Sequence, residues 1–196
     1  MYDAARRLAA LLILLALGAC GMPQPLFKNS DITGSDCCRD FRLTDQNGKT
    51  RTLADFRGEV VVMFFGYTQC PDVCPTTLAE LKAARQQLGP EARRVQVLFV
   101  TLDPERDTPE LLANYMAAFD PSFLALYGDA ATTARTAKAF RVFYQKHPGP
   151  TPGSYTLDHT AGSYVFDAQG RVRLFARYGD GGANLAADLR SLLAQG

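Results

Sequence analysis

Residues 59–75, with the sequence EVVVMFFGYTQCPDVCP, decide the fold of this 196-residue chain. Glu59 to Phe65 is a valine-rich apolar run bounded by glycines at both ends, which is typical of a fully buried central strand. Cys70 and Cys74 follow in a loop that contains two prolines. The stretch therefore predicts a buried strand that passes through two cysteines into a helix.

Strands and helices alternate along the rest of the chain. The helix after the cysteines is predicted over residues 76–88, with Thr77 and Glu80 at capping-box spacing. Further strands are predicted over residues 41–45, 50–53, 95–102, 163–166 and 172–175, and further helices over residues 110–119, 130–140 and 185–193. This order indicates an α/β protein with a thioredoxin-like fold, in which helices flank a central mixed sheet.

The N-terminal residues have the features of a bacterial lipoprotein signal. Arg6 and Arg7 form a positively charged start, and residues 8–17 form an apolar run that is too short to span a membrane. The tetrad LGAC at positions 17–20 resembles a lipobox, in which the cysteine thiol receives the lipid. Cys20 is therefore the predicted lipid anchor, and the alternative is an ordinary secretory signal with a chance cysteine.

These features divide the chain into three parts. Residues 1–19 are predicted to be a signal peptide of the lipoprotein type, residues 20–36 a tether, and residues 37–196 the folded domain. The mature protein would then be attached by lipid to a bacterial membrane and face the periplasm, where disulfides can persist.

Composition excludes several classes of function. Apolar residues make up 47% of the chain, which is typical of a globular protein and not of a disordered or collagen-like one. Lys and Arg number 21 against 20 Asp and Glu, so the net charge of +1 gives no general basis for binding nucleic acid. Lipidation of Cys20 would leave four of the five cysteines to be explained.

Cys70 and Cys74 are candidates for metal binding and for redox chemistry. They lie where a strand passes into a helix, and the positive end of a helix favours the thiolate form. Helical residues four apart have Cβ atoms about 5–6 Å apart, whereas a disulfide needs about 3.5–4.5 Å. The spacing therefore favours a metal and does not exclude a redox pair. Two thiolates are soft ligands that suit Cu(I) or Zn(II).

The third ligand must come from few candidates, because the chain has two histidines. His147 lies in a segment rich in proline and glycine and is expected to be a solvated loop residue. His159 precedes the predicted strand at 163–166, which a thioredoxin-like fold brings back against the cysteine loop. Two sulfurs and one nitrogen leave the fourth position open, which favours copper over structural zinc.

Three separated segments resemble the signature segments of the Sco/SenC proteins. They are residues 66–77 (GYTQCPDVCPTT), residues 103–108 (DPERDT) and the pair Asp158-His159. The resemblance implies a membrane-tethered, extracytoplasmic domain that holds copper through Cys70, Cys74 and His159. It also implies that the protein delivers copper to the dinuclear copper centre of cytochrome c oxidase subunit II, or reduces the cysteines of that centre. Another extracytoplasmic copper chaperone would be a further partner.

Two other functions are compatible with the same residues. A general thiol–disulfide oxidoreductase would use Cys70 and Cys74 as its redox pair, whereas a metallochaperone is not a turnover enzyme. A peroxiredoxin-like peroxidase would need a threonine and an arginine beside one activated cysteine. Thr68 is near, but residues 66–77 contain no arginine, so this function ranks last.

Several other residues have more than one interpretation. The acids of the loop at residues 103–108 could orient the ligands or dock a partner, or the loop could simply begin a helix at Thr108. Asp158 could orient the His159 ring, although neighbours in an extended segment point to opposite faces. Cys37 and Cys38 could be free thiols, a vicinal disulfide, an intermolecular bridge or an auxiliary metal-binding pair.

Overall fold

The computed structural model describes residues 26–196. Ten strands form within these residues: β1 (Ser30–Asp31), β2 (Arg42–Asp45), β3 (Thr50–Thr52), β4 (Val60–Gly66), β5 (Val95–Thr101), β6 (Leu124–Tyr127), β7 (Tyr144–Pro148), β8 (Tyr155–His159), β9 (Gly162–Phe166) and β10 (Val172–Arg177). The helices are α1 (Val73–Gln87), α2 (Pro109–Phe119), α3 (Ala130–Ala139) and α4 (Gly182–Leu193), with short 3₁₀ turns at Leu53–Phe56 and Gly89–Arg94. The predicted signal peptide and the anchor Cys20 lie outside the described residues.

The predicted mixed sheet is confirmed. Eight strands form one sheet in the order β1-β10-β9-β4-β5-β6-β2-β3. The apolar run at 60–66 is its fully buried central strand β4, which pairs in parallel with β5 and antiparallel with β9. Parallel pairing aligns the carboxyl ends of β4 and β5, and the cysteine loop and the loop at 103–108 leave the sheet together at that edge.

The segment before the first sequence-predicted strand is attached to the domain. Ser30 and Asp31 pair with β10 at one edge of the sheet. The Asp188 carboxylate accepts hydrogen bonds from the backbone amides of Lys28 and Asn29, both at 2.8 Å. Residues 28–31, which fall in the predicted tether, therefore contribute contacts to the fold.

Helix α1 begins earlier than the sequence predicted. It starts at Val73, three residues before the expected position, so that Cys74 lies in its first turn. Pro75 is compatible with this position because amides in the first helical turn have no carbonyl partner within the helix. Thr77 is buried inside the helix with no hydrogen bond to its hydroxyl, so the predicted capping box is wrong.

A separate two-stranded hairpin carries both histidines. Strands β7 and β8 pair antiparallel, with Tyr144 opposite His159 and His147 opposite Thr156. His147 lies in strand β7 and not in a loop, since the prolines and glycines that suggested a loop lie at the end of β7 and in the turn beyond it. Its side chain is 45% exposed, as expected of a solvated residue. The Tyr67 hydroxyl accepts a hydrogen bond from the Leu157 amide at 3.2 Å, which holds the hairpin against the cysteine loop.

No helix within residues 26–196 has both the length and the apolar character that crossing a membrane requires.

Candidate metal centre

The two cysteines of the central loop lie side by side with different exposure. Cys70 is half-buried in the loop after β4, and its amide donates to the Tyr67 carbonyl at 3.3 Å. Cys74 is fully buried in the first turn of α1, and its amide donates to the Cys70 sulfur at 3.4 Å. Both thiols are free, so the site is in its reduced form.

His159 completes a group of three soft ligand atoms. Its Nε2 lies 3.4 Å from the Cys74 sulfur, and the ligand atoms of Cys70, Cys74 and His159 all lie within 4.8 Å of one another. The other ring nitrogen, Nδ1, lies 3.1 Å from the Thr160 carbonyl oxygen. Because a carbonyl can only accept, this contact requires the proton on Nδ1, which leaves the lone pair of Nε2 facing the sulfurs.

The Cys70 and Cys74 thiols differ strongly in acidity. A hydrogen bond from the Cys74 thiol lowers the pKa of Cys70 to about 4, and the backbone amides of Cys74 and Asp72 contribute in the same direction. The same bond, together with burial, raises the pKa of Cys74 above its ordinary value. The reduced site at neutral pH therefore holds one accessible thiolate in front of one buried thiol.

Gly66 allows the helix to approach the end of β4. A Cβ atom at this position would lie 2.7 Å from the Cys74 sulfur and 3.0 Å from the Phe99 ring. Real Cβ atoms essentially never show the shorter of these contacts. Only glycine at position 66 leaves room for the Cys74 sulfur where it lies.

The arrangement matches a known family along almost the whole described domain. Residues 29–194 match the family model described as SCO1/SenC. The chain belongs to the SCO1/SenC family. The human protein named Protein SCO2 homolog, mitochondrial, is 40% identical over 141 residues, which cover 71% of this chain and 52% of that protein. The chain thus spans about half the length of the mitochondrial SCO2 relatives that it matches.

Solved structures with more than 40% identity have the same fold. Bradyrhizobium japonicum ScoI with copper bound is 42% identical, with a TM-score of 0.72 over 79% of this chain and 98% of that chain. The apo Sco1 protein from Thermus thermophilus is 41% identical, with a TM-score of 0.76 over 88% of this chain and 100% of that chain. The family and the thioredoxin-like fold predicted from the sequence are confirmed, and copper agrees with both the copper-bound relative and the three-ligand group.

In this SCO1/SenC chain, the acids of the loop at 103–108 support the cysteine loop. Asp107 is 2% exposed and accepts hydrogen bonds from the Thr68 amide at 3.1 Å and the Thr68 hydroxyl at 2.6 Å. The Thr101 hydroxyl donates to the same carboxylate at 2.6 Å. Burial raises the pKa of Asp107. Thr108 also caps α2, so the helix-start interpretation of this loop is confirmed, whereas orientation of the ligands and docking of a partner stay predictions.

Arg106 joins three segments around the site, a role that sequence reasoning missed. Its guanidinium pairs with Asp103, donates to the Gln69 side chain at 3.1 Å and donates to the Tyr155 carbonyl at 3.0 Å. The same guanidinium lies 3.6 Å from the centre of the Tyr155 ring, whose hydroxyl donates to Asp103 at 2.7 Å. Arg106 therefore connects the cysteine loop to the strand that ends at His159.

Asp158 does not orient the ring of His159. Its carboxylate lies 3.1 Å from His147 Nε2 on the outer side of the hairpin. The predicted alternation of side chains in an extended strand explains this direction. The partner of the His159 ring is instead the Thr160 carbonyl, a backbone group that no sequence pattern identifies.

Cys70 and His159 border a groove that opens to solvent. Its volume is about 340 Å³. The cysteine loop and strand β8 line it through Tyr67, Cys70, Pro71, Asp72, Val73, Thr156, Leu157, Asp158 and His159. A ligand held by the three-atom group would therefore be reachable by an outside molecule from the Cys70 side.

Proposed function

We propose that this protein is a membrane-anchored, extracytoplasmic copper carrier that delivers copper to the dinuclear centre of cytochrome c oxidase subunit II. The observation that carries the proposal is the convergence of the Cys70, Cys74 and His159 ligand atoms beside an open groove. Among residues 26–196, these three side chains form the group that could hold a metal ion, and each of them offers one ligand atom. A structural zinc site needs four protein ligands, whereas three soft ligands with open access suit a transferable copper ion.

Capture would begin at Cys70. Its thiolate is the accessible sulfur, and its low pKa makes it available at neutral pH. Binding at Cys74 requires loss of the proton from that buried thiol. In the neutral His159 ring, a proton on Nδ1 that is donated to the Thr160 carbonyl leaves the Nε2 lone pair for the metal.

Release would take place through the groove. Cysteine thiolates of a partner can replace the protein sulfurs one at a time when the cargo is reachable from outside. Subunit II is the partner that the family resemblance implies, and an extracytoplasmic copper chaperone is the implied donor. Lipid on Cys20 would confine this exchange to the membrane surface.

A second candidate function uses the same sulfurs for reduction. The Cys70 thiolate would attack a disulfide of the target and form a mixed disulfide, while one target sulfur leaves as a thiol. Cys74 would then attack Cys70, which releases the second target thiol and leaves a Cys70–Cys74 disulfide. The unequal pair, an exposed thiolate in front of a buried thiol, favours this division of roles.

Copper loading of the full chain in detergent tests the carrier function. We expect one Cu(I) per wild-type protein, and weaker binding in His159→Ala, measured by metal analysis and by competition with a Cu(I) chelator. His147→Ala is the matched control because His147 lies on the same hairpin and contacts Asp158. Equal affinity in both variants and the wild type would exclude His159 as a ligand.

The anchor has its own test. Metabolic labelling with a radioactive fatty acid should mark the wild-type protein and not Cys20→Ala, and the variant should leave the membrane fraction. A labelled Cys20→Ala protein would contradict lipid attachment at this residue.

A further inference from the structure

Cys37 and Cys38 form a disulfide that the copper chemistry does not use. They lie in the loop between β1 and β2, and a disulfide joins them. Cys37 is half-buried, and the Ser35 hydroxyl donates to its sulfur at 3.3 Å. Cys38 is 2% exposed and packs beside the Phe140 carbonyl. Cys37 is therefore the more exposed residue of the pair, and Cys38 is buried.

Stability does not explain a bond between neighbouring residues. A disulfide stabilises a fold mainly by excluding extended conformations of the unfolded chain, and the effect grows with the length of the loop it closes. Here the closed ring contains two adjacent residues, so few unfolded conformations are lost. A domain with a core of this extent is also stable without such bonds.

The backbone around the bond is held in an unfavourable conformation. Cys38 has φ +60° and Arg141 has φ +54°, and they are the two non-glycine residues with positive φ in the described part of the chain. L-residues rarely adopt this region, and such positions often mark functional sites.

The two unusual residues belong to one junction. The Cys38 amide donates to the Ala139 carbonyl at 3.2 Å, and Asp36 forms an ion pair with Arg141. The loop that carries the disulfide is thus fastened to the end of α3 where the chain turns at Arg141. A change at Cys38 would be transmitted directly to this turn.

We propose that Cys37–Cys38 is a second thiol–disulfide exchange site, which accepts two electrons from a dithiol. A thiolate of the dithiol attacks the accessible Cys37 sulfur, the S–S bond breaks, and Cys38 leaves and takes up a proton. The second thiol of the donor then attacks the mixed disulfide, releases Cys37 as a thiol and becomes oxidised to a disulfide. Two electrons and two protons pass to the protein.

Opening the ring has a structural consequence at the junction. Cys38 is then free to leave the positive-φ region, since the ring no longer joins its side chain to that of Cys37. Its hydrogen bond to Ala139 and the adjoining turn at Arg141 would loosen. The site is independent of copper binding, because none of its residues belongs to the Cys70, Cys74 and His159 group.

Differential alkylation of the folded, copper-free full chain tests the proposal. The protein is exposed to increasing dithiothreitol, quenched with an alkylating reagent and digested with trypsin. Cleavage after Lys28 and Arg39 gives the peptide of residues 29–39, and cleavage after Arg57 and Lys82 gives the peptide of residues 58–82, so the two cysteine pairs are read separately.

We expect the peptide of residues 29–39 to pass from no labels to two labels in a single step, while circular dichroism remains that of the folded protein. Labelling that appears only after urea unfolds the protein would overturn the proposal. Two free thiols in the air-oxidised protein would overturn it as well.

Amide hydrogen exchange provides the second measurement. Reduction should accelerate exchange at the Cys38 amide, which bonds to Ala139. A Cys37→Ala/Cys38→Ala variant should remain folded and show no response to dithiothreitol in this region. Unchanged exchange on reduction of the wild type would refute the release of the junction.

Discussion

Replacing Arg106 with alanine should weaken copper binding although Arg106 is not a ligand. Its guanidinium holds Gln69 of the cysteine loop and the Tyr155 carbonyl of the strand that ends at His159. Without these bonds, the hairpin keeps the bond from the Leu157 amide to the Tyr67 hydroxyl, but His159 is held less firmly relative to the two sulfurs. Loss of a group that orients a ligand typically costs about 10- to 100-fold in metal affinity, and we expect a Cu(I) dissociation constant raised by that factor.

The same substitution should lower the free energy of unfolding. Asp103 is 2% exposed and would lose its cationic partner, a change that costs about 3–5 kcal/mol in a fully buried ion pair. The Arg106 side chain is 20% exposed and the Tyr155 hydroxyl still donates to Asp103, so we expect a smaller loss of about 2–4 kcal/mol. Urea unfolding measures this loss, and chelator competition measures the affinity.

Lys146→Ala is the matched control. Its ammonium lies 4.0 Å from the centre of the same Tyr155 ring, and it pairs with Glu105 on the exposed surface. Exposed pairs contribute little, so neither quantity should change appreciably. We expect the Cu(I) dissociation constant of Arg106→Ala to be at least about tenfold above that of this control. If the folded variant binds Cu(I) within about twofold of the control, the positioning role is refuted.

Three further predictions concern the site. Copper loading should release one proton from Cys74 near neutral pH, because the pKa of Cys70 is already low and that of Cys74 is raised. The Cu(I) affinity should therefore rise about tenfold per pH unit in chelator titrations. An affinity that does not change with pH would contradict a site that holds one thiolate and one thiol. Gly66→Ala should destabilise the fold in urea by about 1–3 kcal/mol, since the new Cβ would meet the Cys74 sulfur, and an unchanged midpoint would show that the helix can move away. Asp107→Ala leaves the Thr68 amide without its acceptor and should cost about 1–3 kcal/mol, seen as a lower Tm, whereas an unchanged Tm would mean that water replaces the carboxylate.

Local patterns were enough to predict most of the sheet. The apolar run at 60–65 and the strand at 95–101 are buried on both faces, and only a strand in the middle of a sheet combines such a short length with such continuous burial. The start of α1 was missed because Pro75 occupies its first turn, and the sequence pattern placed the helix after this proline. Boundaries of this kind depend on backbone geometry that residue type alone does not specify.

The candidate ligands could be predicted from the sequence, and the residues that support them could not. Cys70, Cys74 and His159 are residue types whose metal-binding chemistry can be recognised in a sequence. The resemblance of three segments to the Sco/SenC signatures indicates that these residues act together. Arg106 and Tyr155 lie 49 positions apart, and nothing in either segment indicates that the guanidinium stacks on the ring. Contacts between distant segments arise from packing, which brings them together only once the sheet has formed.

The sequence by itself determined which atoms can bind copper, since soft ligands are properties of residue types and the strand–loop–helix order follows from local periodicity. The tertiary structure alone decided how those atoms behave. It buried Cys74 behind Cys70, so that one proton is shared unequally between two identical side chains. It also oriented the His159 ring through a backbone carbonyl and held the hairpin in place through Arg106. Acidity and orientation depend on burial and on neighbours in space, and these exist only in the folded chain.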